Sequence, residues 1–564
     1  MTCKPLVTGQ RYAVAAGHPL AAMAASEIMR SGGNAIDAGV AAGIATEVLE
    51  SILVGFGGVA PIILYSAEHD EMVTISGLGT WPKSVDADYF NRLHGGRIPL
   101  GILRTVVPAA PDAWITALSR YGRMSFAEVA SFAIEFARDG FPMYEFFSAR
   151  IAEKQEGYAR YPSTAAIYLP NGAPPVPGEI FRQRELGASI QFLADEDCAA
   201  AAKGGRAAGL AAARHAFYEG DIAREMVSHV QSEGGELTLE DLRDFSVELE
   251  KPISVRFGEW QVNGCGPWCQ GPMLLQALNI VKTFDLHALG HNSADYVHMM
   301  CEAIKLAASD RDRYYGDPKF VDVPMNRLLS DAHARAQAAR IRMNRATSFA
   351  DADNDAAAEA KADLAVGDSS MDTSYVCVVD KAGNAFSATP SDAPHHAPVA
   401  PKLGFLVSAR GSQSWTNPDH PASVAPGKRP RLTPNPALAV GPEGRIMPFG
   451  SPGGDVQTQA MLQGFVNRVV FGFDTQHAVE SPRFATYDFP SSWEPHERQH
   501  LVLKLENSLD TAIGADLAAR GHNVESWPDL VWTAGSLSLI ESDRQKGRMA
   551  AGSDPRREAY AIGW

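Results

Sequence analysis

Asp372-Thr373-Ser374 stands where a polar, alanine-rich stretch gives way to a continuous apolar run, Tyr375-Val376-Cys377-Val378-Val379. A threonine hydroxyl is a weak nucleophile unless a base adjoins it. One way to supply that base is to free the residue's own α-amine by cutting the chain before it. Such an amine titrates near ~7.7–8.0, where it can take the hydroxyl proton close to neutral pH. A second segment, Gly450-Ser451-Pro452-Gly453-Gly454, carries adjacent backbone N–H groups just ahead of an amphipathic helical pattern. Donors so placed can hold a developing oxyanion, each worth ~3 kcal/mol of transition-state stabilisation, and a helix N-terminus adds its positive end. Taken singly, the first motif reads as ordinary strand entry and the second as a tight strand-to-helix turn.

The elements that must position these groups are also legible. The run 375–379 has the pattern of a strand buried on both faces. Lys381-Ala382-Gly383-Asn384 makes a turn, and residues 385–389 return antiparallel. A second hairpin joins 437–440 to 445–449 and ends in the Gly450–Gly454 turn. The helix that follows carries Met461, Leu462, Phe465, Val466, Val469 and Val470. Near the N-terminus, His18-Pro19 opens a helix over 20–29, Asn34 caps a second running to Leu49, and a strand spans 61–66. Residues 125–140 form an amphipathic helix stopped by Gly140 and Pro142. The stretch 142–250 reads as mainly helical, with a surface helix at 199–213, and 292–315 is a further helix. Residues 345–370 are acidic and alanine-rich, as expected of a mobile loop. Helices followed by strand pairs imply an α+β protein in which sheets are covered by helices.

Composition narrows the function classes. The 564 residues carry 50 basic and 66 acidic side chains, a formal charge of −16, which repels nucleic acid. Six cysteines are too few for a disulfide framework. The most apolar region, 35–65, is interrupted by Asp37, Glu47 and Glu50, so it does not read as a spanning helix. The N-terminus lacks a signal-peptide pattern, and the expected location is cytoplasmic. No metal site is expected: His395-His396 has no E-x-x-H partner, and Cys265 and Cys269 have no second pair. Those two thiols are read as packed or pocket-lining. No Lys follows the 450–454 glycines in Walker fashion, and no interpretable serine elbow appears. The chemistry requires no cofactor.

In combination, the motifs resemble the γ-glutamyltranspeptidase superfamily of N-terminal-nucleophile hydrolases. The matches run in order: Ala16-Gly17-His18-Pro19-Leu20-Ala21, Gly32-Gly33-Asn34-Ala35-Ile36-Asp37-Ala38, Gly55-Phe56-Gly57-Gly58, Ala308-Ser309-Asp310-Arg311, Asp372-Thr373-Ser374-Tyr375, Pro426-Gly427-Lys428-Arg429-Pro430 and Gly450-Ser451-Pro452-Gly453-Gly454. The resemblance implies a four-layer αββα sandwich made as one precursor and self-cleaved between Asp372 and Thr373. It implies a large subunit, 1–372, and a small subunit, 373–564, intertwined as a heterodimer, and it allows a dimer of these. Thr373 would be the nucleophile, Gly453 and Gly454 the oxyanion donors, and Ser391 a partner of the Thr373 hydroxyl.

Substrate recognition departs from that of the true transpeptidases. Leu78 fills the place of the arginine that holds the glutamyl carboxylate, and Leu432 and Thr433 replace paired serines. The acidic clamp for the α-amino group becomes Ala409-Arg410-Gly411-Ser412-Gln413. A cation at Arg410 suits a carboxylate without a neighbouring ammonium, and Gln413 and Thr433 are further substrate-binding candidates. The run 408–415, with Cys265-Gly266-Pro267-Trp268-Cys269-Gln270-Gly271-Pro272, resembles the oxamate amidohydrolase branch. The expectation is hydrolysis of a small carboxylate-bearing amide. A γ-glutamyl hydrolase or transferase, a cephalosporin or glutaryl acylase, and an unprocessed binding paralogue are the alternatives.

Overall fold

The computed structural model describes residues 2–349 and 373–564. Asp372 and most of the acidic stretch 345–370 lie outside the described residues. Two seven-stranded sheets form the centre. The first runs Val7–Gly9, Arg548–Ser553, Ser538–Asp543, Ile446–Gly450, Ala437–Val440, Trp260–Gly264, Ile253–Phe257. The second runs Tyr560–Gly563, Tyr12–Ala16, Val376–Asp380, Ala385–Ala388, Ile62–Ser66, Glu71–Ile75, Leu249–Glu250. Both expected hairpins are present, with Val378 opposite Phe386 and Ala439 opposite Met447.

Period-two alternation decides which layer each side chain joins. Tyr375, Cys377 and Val379 meet Ala13, Ala15, Leu438 and Ile540 in the layer between the sheets. Val376, Val378 and Phe386 point the other way, toward the helices Pro19–Arg30, Ala35–Leu49 and Phe126–Arg138. Ala437, Ala439, Met447 and Phe449 face the helices Gly271–Val281, Ala294–Tyr314 and Gln457–Val469. Four layers result, in the order helix, sheet, sheet, helix.

Two helices in the N-terminal half begin at the caps the sequence places there. Asn34 accepts from the N–H groups of Ile36 and Asp37, Asp37 bonds back to Asn34, and Ser125 caps the helix after it in the same reciprocal way. The 199–213 stretch belongs to a longer helical run, Arg184–Tyr218, that breaks at Gly205 (φ 78°). Among the described residues no helix is long and apolar enough to cross a membrane.

Candidate active site

Thr373 lies on the lead-in to Val376–Asp380, and Ser391 follows its hairpin partner Ala385–Ala388. The hairpin stays zipped beyond its last ladder pair, because the Ser374 N–H donates to the Pro390 carbonyl at 2.9 Å. Ser391 is fixed from the other side by two backbone bonds with Val59, at 2.9 and 3.2 Å. These constraints set Thr373 Oγ1 2.9 Å from Ser391 Oγ, with both residues fully buried.

Arg410 reaches the same point from the short turn Arg410–Gln413. Its Nη2 donates to Ser391 Oγ, its Nε lies 3.8 Å from Asp392 Oδ1, and its guanidinium sits 5.7 Å from the Trp493 ring centre. A guanidinium has no acceptor. The Ser391 oxygen therefore accepts from Arg410, and its hydroxyl can donate to Thr373 Oγ1. Asp392 takes bonds from Ser408 Oγ at 2.5 Å and Ala409 N at 3.4 Å. Burial raises its carboxyl pKa against the pull of Arg410.

The glycine turn arrives from Ile446–Gly450, in the middle of the facing sheet. Gly450 makes the approach possible: a Cβ there would stand 2.2 Å from the Tyr375 ring. Gly453 (φ 124°) and Gly454 (φ 59°) take left-handed conformations that only glycine adopts cheaply. Asp455 then anchors the turn. It accepts from Arg311 Nη1 at 2.6 Å, Gln270 Nε2 at 2.8 Å and Ser492 N at 2.8 Å. The Trp493 ring covers Gly454, 3.0 Å from where a Cβ would project.

Other groups hold the main chain of Thr373 rather than its hydroxyl. Arg557 Nη1 donates to the Thr373 carbonyl at 2.9 Å, and Ser374 Oγ donates to Glu50 Oε2 at 2.6 Å. Burial pushes the Glu50 carboxyl up to about 7, although Ser374 and Arg557 pull the other way.

Of the residues singled out from sequence, Thr373, Ser391 and Arg410 form one connected chain, and Gly454 is one side chain away from it through Gln457. Gly453 sits beside Gly454 in the same turn. Gln413 and Thr433 instead bond each other, Nε2 to Oγ1 at 3.0 Å and Oε1 to the Thr433 N–H at 3.3 Å. Leu78 packs with Val59, Cys265, Trp268, Cys269 and Leu432, so this wall is apolar and both thiols lie buried in it. Sequence reasoning missed Gln457, Asp392, Trp493, Arg557 and Glu50. Only Gln457 carried a signal, its position one helical turn beyond Gly453.

One group of potential metal ligands comes together among the described residues: His298, Glu302 and His522. Its own bonds close it. His298 Nδ1 faces His522 Nε2 at 2.8 Å, His298 Nε2 bonds the Arg342 carbonyl at 2.9 Å, and Glu302 pairs with buried Lys305 at 2.5 Å. An ammonium already balances the carboxylate, so the network needs no ion.

Residues 21–564 match the family model "Gamma-glutamyltranspeptidase". The chain is 33% identical to the Acylase ACY 1 proenzyme of Pseudomonas sp. (strain V22), covering 96% of this chain and 91% of the relative. It is 31% identical to the Glutathione hydrolase-like YwrD proenzyme of Bacillus subtilis (strain 168), with 99% of each chain covered. It is 29% identical to the Oxamate amidohydrolase proenzyme of Klebsiella pneumoniae, covering 97% of this chain and 98% of the relative. The crystal structure of cephalosporin acylase from Bacillus halodurans is similar over 100% of this chain and 98% of its own, with a TM-score of 0.85 at 26% identity. With the αββα sandwich in place and nearly the whole length matched, the chain belongs to the gamma-glutamyltranspeptidase family and is an amide-cleaving hydrolase of it.

Proposed function

We propose that this enzyme cuts itself between Asp372 and Thr373 and then hydrolyses a small amide whose acyl half bears a carboxylate but no ammonium, oxamate being the leading candidate. Thr373 Oγ1 attacks the amide carbonyl, and the freed α-amine takes the hydroxyl proton and passes it to the leaving nitrogen. The N–H groups of Gly453 and Gly454 hold the oxyanion. Water then releases the acid from the threonine ester, with the same amine as base.

The observation that carries this reading is the series Arg410, Ser391, Thr373. Two hydrogen bonds in sequence keep the guanidinium within about 5–6 Å of the attacking oxygen. A carboxylate meeting Arg410 would therefore lie one or two bonds from the reacting carbonyl, as in oxamate. A glutaryl carboxylate, three methylenes away, would overshoot. Leu78 in an apolar wall removes the cation a γ-glutamyl group would need. Gln413 and Thr433 complete the acyl pocket behind Arg410, and no cofactor takes part. The two pieces remain together as a heterodimer, in a cytoplasmic setting.

The test is a panel of oxamate, a glutaryl amide and glutathione on wild type, Thr373→Ala and Arg410→Ala, with denaturing electrophoresis alongside. Two bands, oxamate turnover in wild type, none in Thr373→Ala, and a KM raised at least tenfold in Arg410→Ala are expected. Turnover by uncut protein or by Thr373→Ala would refute the nucleophile. Preference for glutathione would refute the substrate class.

A further inference from the structure

Gln457 is the first residue of the helix Gln457–Val469 and is wholly buried. Its amide has three close neighbours: Thr373 Oγ1 at 3.2 Å, the Gly454 N–H at 3.3 Å and the Ser451 carbonyl at 3.3 Å. A backbone N–H can only donate and a carbonyl can only accept, so the network fixes the amide. The oxygen faces Gly454 and Thr373, and the nitrogen donates to Ser451.

Arg410 donates to Ser391, Ser391 donates to Thr373, and Thr373 donates to Gln457 Oε1, which also accepts from Gly454. An acceptor oxygen about 3 Å from both the attacking atom and an oxyanion donor stands where the carbonyl oxygen of a bound acyl group belongs.

We infer that Gln457 is a built-in occupant of the oxyanion site, which the carbonyl oxygen of the substrate must displace; this rests on Thr373 and Gly454 acting as proposed above. The exchange does two things. It transfers the Gly454 N–H from an amide oxygen to the reacting carbonyl. It also strips the Thr373 hydroxyl of an acceptor too weakly basic to take its proton, leaving the α-amine as the proton's destination. The nucleophile thus stays idle until an acyl group arrives. Because an occupied site must first be vacated, apparent affinity falls by the vacant fraction.

Gln457→Met keeps length and bulk but offers no acceptor for the Gly454 N–H. Gln457→Glu keeps the shape and holds that N–H with a charge-assisted bond roughly twice as strong. Both variants are assayed after two-band electrophoresis shows them cut. The probe is oxamate, or the panel amide with the highest kcat/KM. The expected result is opposite movement: KM falls about 2- to 10-fold in Gln457→Met, the equivalent of one ordinary hydrogen bond, and rises in Gln457→Glu. A purely structural role would not split the two variants in this way. An unchanged or raised KM in Gln457→Met would overturn the inference, as would loss of self-cleavage in both variants. Thr373→Ala run in parallel separates the failures. If it is inactive while the Gln457 pair shows no opposite shift, only this inference falls; if it is active, the nucleophile assignment falls first.

Discussion

Asp392 faces Arg410 across 3.8 Å with both side chains buried, and it does so from a left-handed backbone, φ 120°, that non-glycine residues rarely adopt. The carboxylate ties the loop of Ser391 to the loop of Arg410 through Ser408 and Ala409. The strain is held in place by the bonds it makes possible.

Removing that carboxylate leaves the Arg410 charge without this counter-ion. Asp392→Ala is expected to destabilise by about 3–5 kcal/mol, as for other broken buried pairs. Asp392→Gly loses the same bonds but relieves the backbone, and should recover about 1–2 kcal/mol of that loss. Urea unfolding of both variants gives the difference. Equal stabilities would mean that φ 120° carries no strain.

Gly454→Ala combines a left-handed backbone with a Cβ 3.0 Å from the Trp493 ring. The ring or the turn must shift, and a turn that shifts takes its N–H off the proposed oxyanion position. The expected result is a kcat roughly 10²-fold lower with KM little changed, and steady-state kinetics on cut protein check it.

Arg311 is fully buried and bonded to Asp455 immediately after the candidate oxyanion glycines. Arg311→Ala leaves Asp455 without its cation and should lower stability by about 3–5 kcal/mol. Arg311→Lys restores the charge but not the fork that also bonds Ser492 Oγ and the Pro490 carbonyl. Thermal melts should place Lys between wild type and Ala.

Glu50 makes stability depend on pH. Its carboxyl is raised from an ordinary 4.5 to about 7 by burial. Below pH 4.5 it is protonated in the folded and the unfolded chain alike. Between 4.5 and 7 the unfolded chain releases the proton first, so stability falls as pH rises through this window, and above 7 the loss is complete. Arg557, Glu558 and Ser374 share its surroundings. Glu50→Gln, which carries no such penalty, should gain on wild type by up to about 3 kcal/mol between pH 5 and pH 8. Melting temperatures of the two proteins at those pH values decide it.

Much of the scaffold could be read before the structure, because it rests on local rules. The caps Asn34 and Ser125, the turn 381–384 and the second hairpin all lie where short-range chemistry puts them. Ser391 stands 18 residues from Thr373, across a single hairpin. Apart from the spacing of Gln457 from Gly453, contacts that depend on how one sheet meets the other left no such trace. Gln457 meets Thr373 over 84 residues, Arg311 meets Asp455 over 144 and Arg557 meets Thr373 over 184. Trp493 settles over Gly454 from an irregular segment whose sequence has no period. Gln413 and Thr433 show the opposite limit: both were singled out as substrate-binding candidates, but the two polar side chains satisfy each other.

Both seven-stranded sheets draw strands from either side of position 373. In one, Tyr12–Ala16 lies between Tyr560–Gly563 and Val376–Asp380; in the other, Val7–Gly9 borders Arg548–Ser553. A break anywhere between 350 and 373 therefore releases nothing, since each fragment is laced through the ladders of the other. Neither fragment made alone would find partners for its bare strand edges, and mixing the two afterwards would invite clumping rather than reassembly. The proposed scission would therefore have to follow folding, with the uncut chain serving as its own assembly jig.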